Sequence, residues 1–206
     1  MKNFFKKNKK NIPYNGFTLI ELIIVIAIMA TISAITLFNS AKLNSSILLA
    51  NTAYEISLII RDAQVSGLGS KVFNNGGVAT TSNQGVYIDS KNPNQIIFFA
   101  DKNKDNKYSS PDEINQVYNI EDKRAGKILS ICGAPTGPCN SSDITNLNII
   151  FKRPNPEAYL WQGSEPTAIS GSAVINVGFE GGECRSIIIY RTGAIQIDKS
   201  LCPTTL

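Results

Sequence analysis

Two stretches of the chain carry residue types at spacings that suit chemistry. Asp101, Asn103 and Asp105 alternate as D-x-N-x-D, and Ser109 and Asp112 follow. Counted from Asp101, they take positions 1, 3, 5, 9 and 12 of an EF-hand-type loop, whose oxygen donors converge on a hard cation. Position 6 is Asn106 instead of glycine, although asparagine tolerates the left-handed backbone needed there. Position 12 is Asp112, a shorter acid than the usual glutamate, and Glu113 falls one residue late. Lys102, Lys104 and Lys107 dilute the negative charge. The same residue types also build a solvated hairpin loop. The stretch is thus a candidate calcium site, and no other cofactor is indicated.

The second stretch holds the four cysteines, Cys132, Cys139, Cys184 and Cys202, all in the last third or so of the chain. None forms C-x-x-C, which argues against zinc and thioredoxin-like redox chemistry. An even number of cysteines in an exported domain favours disulfides. Cys132 and Cys139 bracket GAPTGP, a run of turn formers, and Cys184 and Cys202 bracket the last hairpin. Of the three possible connectivities, Cys132–Cys139 and Cys184–Cys202 are expected, in a structural role.

The chain has no histidine. That removes Ser-His-Asp and Cys-His catalysis, histidine metal ligation and a histidine pH switch. There is no G-x-S-x-G, P-loop or dinucleotide-binding glycine pattern either. No enzyme is expected. The net charge of +4 is more than accounted for by Lys2, Lys6, Lys7, Lys9 and Lys10. The remainder is near neutral and gives no argument for nucleic acid.

Those lysines precede residues 17–38, FTLIELIIVIAIMATISAITLF, whose one ionisable side chain is Glu21. A helix of that length spans roughly 33 Å, enough for a bilayer core. The positive-inside rule keeps the N-terminus in the cytoplasm and sends the rest across. The apolar run is too long for a secretory signal peptide, and no small-residue cleavage site follows it.

The junction Gly16-Phe17-Thr18-Leu19-Ile20-Glu21-Leu22, with its basic leader and apolar sequel, resembles the N-terminal methylation motif of the type IV pilin and type II secretion pseudopilin superfamily. The resemblance implies that prepilin peptidase cuts after Gly16 and that Phe17 is then N-methylated. It also implies that Glu21 pairs with the N-terminal amine of a neighbouring subunit during assembly. A glycine at position 16 suits an extended strand entering a tight protease cleft. Pro13 would help keep the leader from becoming helix, but a plain linker proline explains it as well or better.

No proline occurs between Tyr14 and Asn92, so the helix is expected to run on to about residue 67. From Phe17 to Ser66 it would measure about 75 Å. Beyond the membrane, Ile47, Leu48, Ala50, Tyr54, Leu58, Ile59 and Ala63 recur at helical steps. Lys42, Asn44, Ser46, Asn51 and Glu55 stand between them, and Gly67 and Gly69 are expected stops. Strands are expected at Val86–Ile88, Ile96–Phe99, Ile114–Tyr118, Lys127–Ile131, Leu147–Phe151, Ala173–Phe179, Cys184–Tyr190 and Ala194–Ile197. Arg191-Thr192-Gly193 makes the final hairpin turn. Tyr159 and Trp161 fall in a Pro/Gly-rich stretch, NPEAYLWQGSEP, read as a loop.

The expected fold class is α+β and pilin-like: a long N-terminal helix, transmembrane and then amphipathic, on an antiparallel β-sheet domain. The expected division is a cytoplasmic leader, 1–16, a transmembrane helix, 17–38, and an extracytoplasmic domain, 39–206. Within the superfamily, residues 58–65, 98–113 and 184–193 resemble the GspH/FimT group of minor subunits. That likeness implies a minor pseudopilin of a type II secretion system, held in the inner membrane with its C-terminal domain periplasmic, and the alternative of a minor type IV pilin. The implied partners are prepilin peptidase and other pseudopilins or pilins. Some FimT-like pilins bind DNA through a terminal G-R-x-R. Here the matching residues are Gly193-Ala194-Ile195-Gln196, without either arginine, which argues against nucleic acid even with Arg185, Arg191 and Lys199 nearby.

Overall fold

The computed structural model describes residues 16–69, 72–75, 78–109, 114–120, 126–133, 137–139, 143–163 and 167–203. Lys2, Lys6, Lys7, Lys9, Lys10, Pro13, Asp112 and Glu113 lie outside them. The chain divides into two compact units, with the boundary between Leu43 and Asn44.

A single helix, α1, runs Leu19–Leu68. Nothing in this stretch breaks it, because the one proline-free run of sequence contains it whole. Gly67 does not stop the helix as expected. A Cβ at Gly67 would meet the backbone carbonyl of Phe151 at 2.9 Å, so the glycine serves a close approach between helix and strand. The last turn closes when the Gly69 N–H donates to the Val65 carbonyl at 2.8 Å.

Within the second unit, the buried face of α1 is Leu49, Ala53, Ile56, Ile60 and Ala63. This corrects the stripe read from the sequence, of which Ile47, Tyr54 and Leu58 are exposed and only Ala63 is fully buried. The helix is apolar on two sides here. A 3.6-residue period fits both, and only the sheet decides which is covered.

Twelve strands are described, every pairing antiparallel. A hairpin joins β1 (Val72–Asn75) to β2 (Val78–Thr81). A six-stranded sheet has β3 (Asn83–Asp89), β4 (Gln95–Asp101), β5 (Ile114–Asn119), β7 (Asn146–Phe151), β8 (Ala158–Gln162) and β9 (Thr167–Ala168), in the order β5-β4-β3-β7-β8-β9. A four-stranded sheet has β6 (Lys127–Gly133), β10 (Ser172–Gly178), β11 (Cys184–Tyr190) and β12 (Ile195–Asp198), in the order β12-β11-β10-β6. The architecture is α+β, as expected. Tyr159 and Trp161 lie on β8 and not in a loop. Ala158 and Leu160 alternate inward between them and register with Phe151 and Ile149 of β7.

The helix face and both larger sheets share one core. Val86, Ile88, Ile96, Leu147, Ile149 and Phe151 come from one sheet, and Ile131, Ile175, Val177, Ile187 and Ile189 from the other. Polar groups fasten the same helix face and sheets. Gln64, nearly buried, donates from Nε2 to the carbonyls of Pro156 at 2.8 Å and Gly193 at 3.2 Å. Gly193 holds φ +84° in the turn after β11, and a Cβ there would collide with that same Pro156 carbonyl and with Gln64.

Candidate functional site

At the head of α1, Gly16, Phe17 and Thr18 precede the first helical turn. Thr18 is the N-cap. Its Oγ1 accepts from the Glu21 N–H at 3.3 Å, and its carbonyl accepts from the Leu22 N–H at 3.2 Å. Sequence reading had missed Thr18, yet Thr18-x-x-Glu21 is the capping-box spacing that would have found it. The cap fixes where the helix begins, two residues after Gly16. It also puts the Glu21 carboxylate in the first turn, where the helix dipole favours negative charge. An added Cβ at Gly16 meets nothing within 4 Å. The fold therefore places no demand for glycine there.

From Leu19 to Leu37 the helix is long and apolar enough to cross a membrane, and none of this stretch is buried within the protein. An apolar surface on all sides of a helix calls for lipid or other apolar helices around it. It is an N-terminal apolar helix suited to membrane anchoring. In the second unit, Ile47, Tyr54, Leu58 and Val65 also stand exposed at steps of seven, four and seven. They form a second apolar stripe on the side of the helix away from the sheet.

The loop after β4 gathers three of the residues singled out as cation donors. Asn103 Nδ2 donates to Asp105 Oδ2 at 2.9 Å and to Ser109 Oγ at 3.3 Å. The Asp105 N–H donates to Asn103 Oδ1 at 3.2 Å, and the Lys107 N–H to Asp105 Oδ1 at 3.1 Å. Lys104 and Asn106 hold φ +62° and +66°, so the chain turns twice through the left-handed region, once at the position where glycine is usual. Asp101, at the strand end, is fully buried, with Asn83 Nδ2 donating to its Oδ2 at 3.1 Å. Tyr108 folds the loop back. Its ring stands 4.9 Å from that of Tyr87 and 5.6 Å from that of Phe99, and its N–H donates to Asn148 Oδ1 at 2.8 Å. Burial, and then the nearby Asp89 carboxylate, push the Tyr87 hydroxyl pKa up. Asp112 completes the expected set but lies outside the described residues.

The cysteines are joined as Cys132–Cys139 and Cys184–Cys202, with Cα separations of 6.1 and 5.9 Å. Asn176 of β10, fully buried, reaches both segments. Its Nδ2 donates to Ser130 Oγ at 3.0 Å and to the carbonyls of Cys139 at 3.2 Å and Leu201 at 3.1 Å. Arg185 is engaged locally, with the Cys184 carbonyl at 3.0 Å, Ser46 Oγ at 3.5 Å and the Glu183 carboxylate at 3.9 Å.

A family model described as the prokaryotic N-terminal methylation motif matches residues 13–37. No curated protein and no solved structure matches the chain. The matched segment takes in the Gly16–Phe17 junction, the Thr18 cap, Glu21 and the exposed apolar helix up to Leu37. The chain therefore carries a prepilin-type N-terminal methylation motif on an apolar helix, consistent with a type IV pilin-like protein.

Proposed function

We propose that this protein is a minor pseudopilin, a structural subunit of the type II secretion pseudopilus that performs no catalysis. One observation carries the reading: a methylation motif leads directly into a helix apolar on every side. In this reading prepilin peptidase cuts between Gly16 and Phe17 on the cytoplasmic side of the inner membrane, and Phe17 is N-methylated. The domain beyond the membrane stands in the periplasm. Residues 17–38, helical from Leu19, form the membrane-spanning segment, which joins like helices of other pseudopilins.

Glu21 then has a task. A carboxylate costs about 2.5–3.5 kcal/mol at the centre of a bilayer and less in the first turn, where Glu21 sits. Pairing with the N-terminal amine of a neighbouring subunit offsets that cost and sets the axial register between subunits. The exposed stripe Ile47, Tyr54, Leu58 and Val65 gives assembly an apolar surface beyond the lipid as well.

The test is deletion of the gene with plasmid complementation by wild type and by Gly16→Val. The expected result is complementable loss of exoenzyme from the medium, with cargo trapped in the periplasm. Gly16→Val should fold, since nothing crowds that position, but persist as uncleaved precursor and fail to complement. Unchanged secretion would overturn the secretion role and assign the subunit to a type IV pilus, with twitching and DNA uptake as its readouts.

A further inference from the structure

The geometry points to a divalent-cation site, of the calcium type by its oxygen donors, in the loop from Asp101 to Ser109. The decisive residue is Asp101. Strand alternation puts Asp101 on the same face of β4 as Phe99. That is the face the loop folds over, because Tyr108 lays its ring against Phe99 and Tyr87. The Asp101 side chain is therefore turned under its own loop and is fully buried there. One carboxylate oxygen, Oδ2, is matched by Asn83, while Oδ1 is shielded from solvent and has no hydrogen-bond donor.

An unmatched buried carboxylate oxygen is costly, more so than a neutral acceptor. The same loop contains a second such atom, Asn106 Oδ1, likewise shielded and without a donor. Two unmatched acceptor oxygens within six residues call for positive charge between or beside them. Asn103, Asp105 and Ser109 are already drawn together by the bonds described above. The donor set is carboxylate, amide and hydroxyl oxygen, with no nitrogen or sulfur ligand, which suits a hard cation. Among the described residues no group of three acidic, histidine or cysteine side chains gathers around a metal position. The site therefore relies on two carboxylates, Asp101 and Asp105, plus neutral oxygens. With few charges and three lysines in the loop, affinity should fall with the extracellular modules, around 10⁻⁴–10⁻³ M. Magnesium, which demands a tighter octahedron, should compete poorly.

The experiment uses the full-length chain in detergent, stripped with EDTA. Terbium is the first probe, excited through tyrosine, since Tyr108 belongs to the loop. Sensitised terbium emission is expected, displaced by calcium with a midpoint near 10⁻⁴–10⁻³ M. At about 10 mM calcium the melting temperature should rise by about 3–10 °C, and equal magnesium should give much less. Asp105→Asn, in the partly exposed part of the loop, keeps one acceptor oxygen of the two, so it should melt only slightly below wild type in EDTA and bind calcium at least about tenfold more weakly. Asp101→Asn should lose the calcium response too, yet melt no lower in EDTA, because an unmatched buried charge has been removed. Absence of both terbium emission and a calcium shift would overturn the site, as would an unchanged response in Asp105→Asn.

Discussion

Two lengths of one helix make the useful comparison. From Leu19 to Leu37, α1 has apolar side chains on every side and buries none of them within the protein. From Asn44 to Leu68 it divides its apolar residues, with Leu49, Ala53, Ile56, Ile60 and Ala63 against the sheets and Ile47, Tyr54, Leu58 and Val65 facing outward. Local propensity makes both lengths helical and says nothing of what covers them. Among the described residues nothing buries the first length, and an apolar surface of that kind suits a membrane or other apolar helices. In the second length, one face stabilises the fold and the other stands exposed, as the proposed assembly would need.

The sharpest way to break this division is a pair of truncations two residues apart. Ile60→Ala opens a cavity in the core and should cost about 2–5 kcal/mol. Leu58→Ala, on the outer stripe, should change stability by no more than about 0.5 kcal/mol. Thermal or urea unfolding of the two variants measures the contrast. Equal losses would mean that the outward stripe is not a separate surface. Co-purification with other subunits should reverse the order per kcal/mol lost, with Leu58→Ala weakening assembly while the fold stays intact.

A smaller effect should come from the polar fastening at the helix end. Gln64→Leu keeps the volume close to that of glutamine but leaves the Pro156 and Gly193 carbonyls without their Nε2 donor. The expected loss is about 1–3 kcal/mol, read in the same unfolding assay. A loss below about 0.5 kcal/mol would show that apolar burial alone holds this length of helix to the sheets.

How much of this was legible beforehand depended on whether the signal was local. The run from Leu19 onward is one unbroken apolar stretch, and the seven strands of six or seven residues, with the four-residue β12, alternate or run apolar between turn formers. β8 was hidden because five residues, AYLWQ, sit between prolines and glycines that read as loop. Its aromatic residues and its alternation at Ala158 and Leu160 were the available signal. β1, β2 and β9 are short, with Asn, Thr and Ala in place of an apolar pattern. The buried face of the helix was misread because facing is a tertiary choice. In the cation loop, the spacing of Asp101, Asn103 and Asp105 was visible. The burial of Asp101 was not, since it depends on Tyr108 folding back onto Phe99 and Tyr87, and on Asn83 lying opposite across the sheet.

The smallest expected effect serves as the control, because it touches neither length of the helix. Lys127, at the start of β6, forms an ion pair with Glu180 in the turn after β10, and both side chains are well exposed. The hydrogen bond from Lys127, and then its charge, hold the Glu180 pKa below its ordinary value, with slight desolvation acting the other way. A carboxylate whose pKa is depressed in the folded state stabilises that state when ionised. The contribution is therefore whole above the ordinary glutamate range and drains away as pH falls through and below it. Solvent screening keeps it small for an exposed pair. Glu180→Gln should melt only slightly below wild type at pH 7 in low salt, and the two curves should converge both in high salt and at low pH. A gap that persisted under either condition would mean that Glu180 supports the turn by something other than its charge. A gap as large as that of Gln64→Leu would remove the pair as a control on the helix.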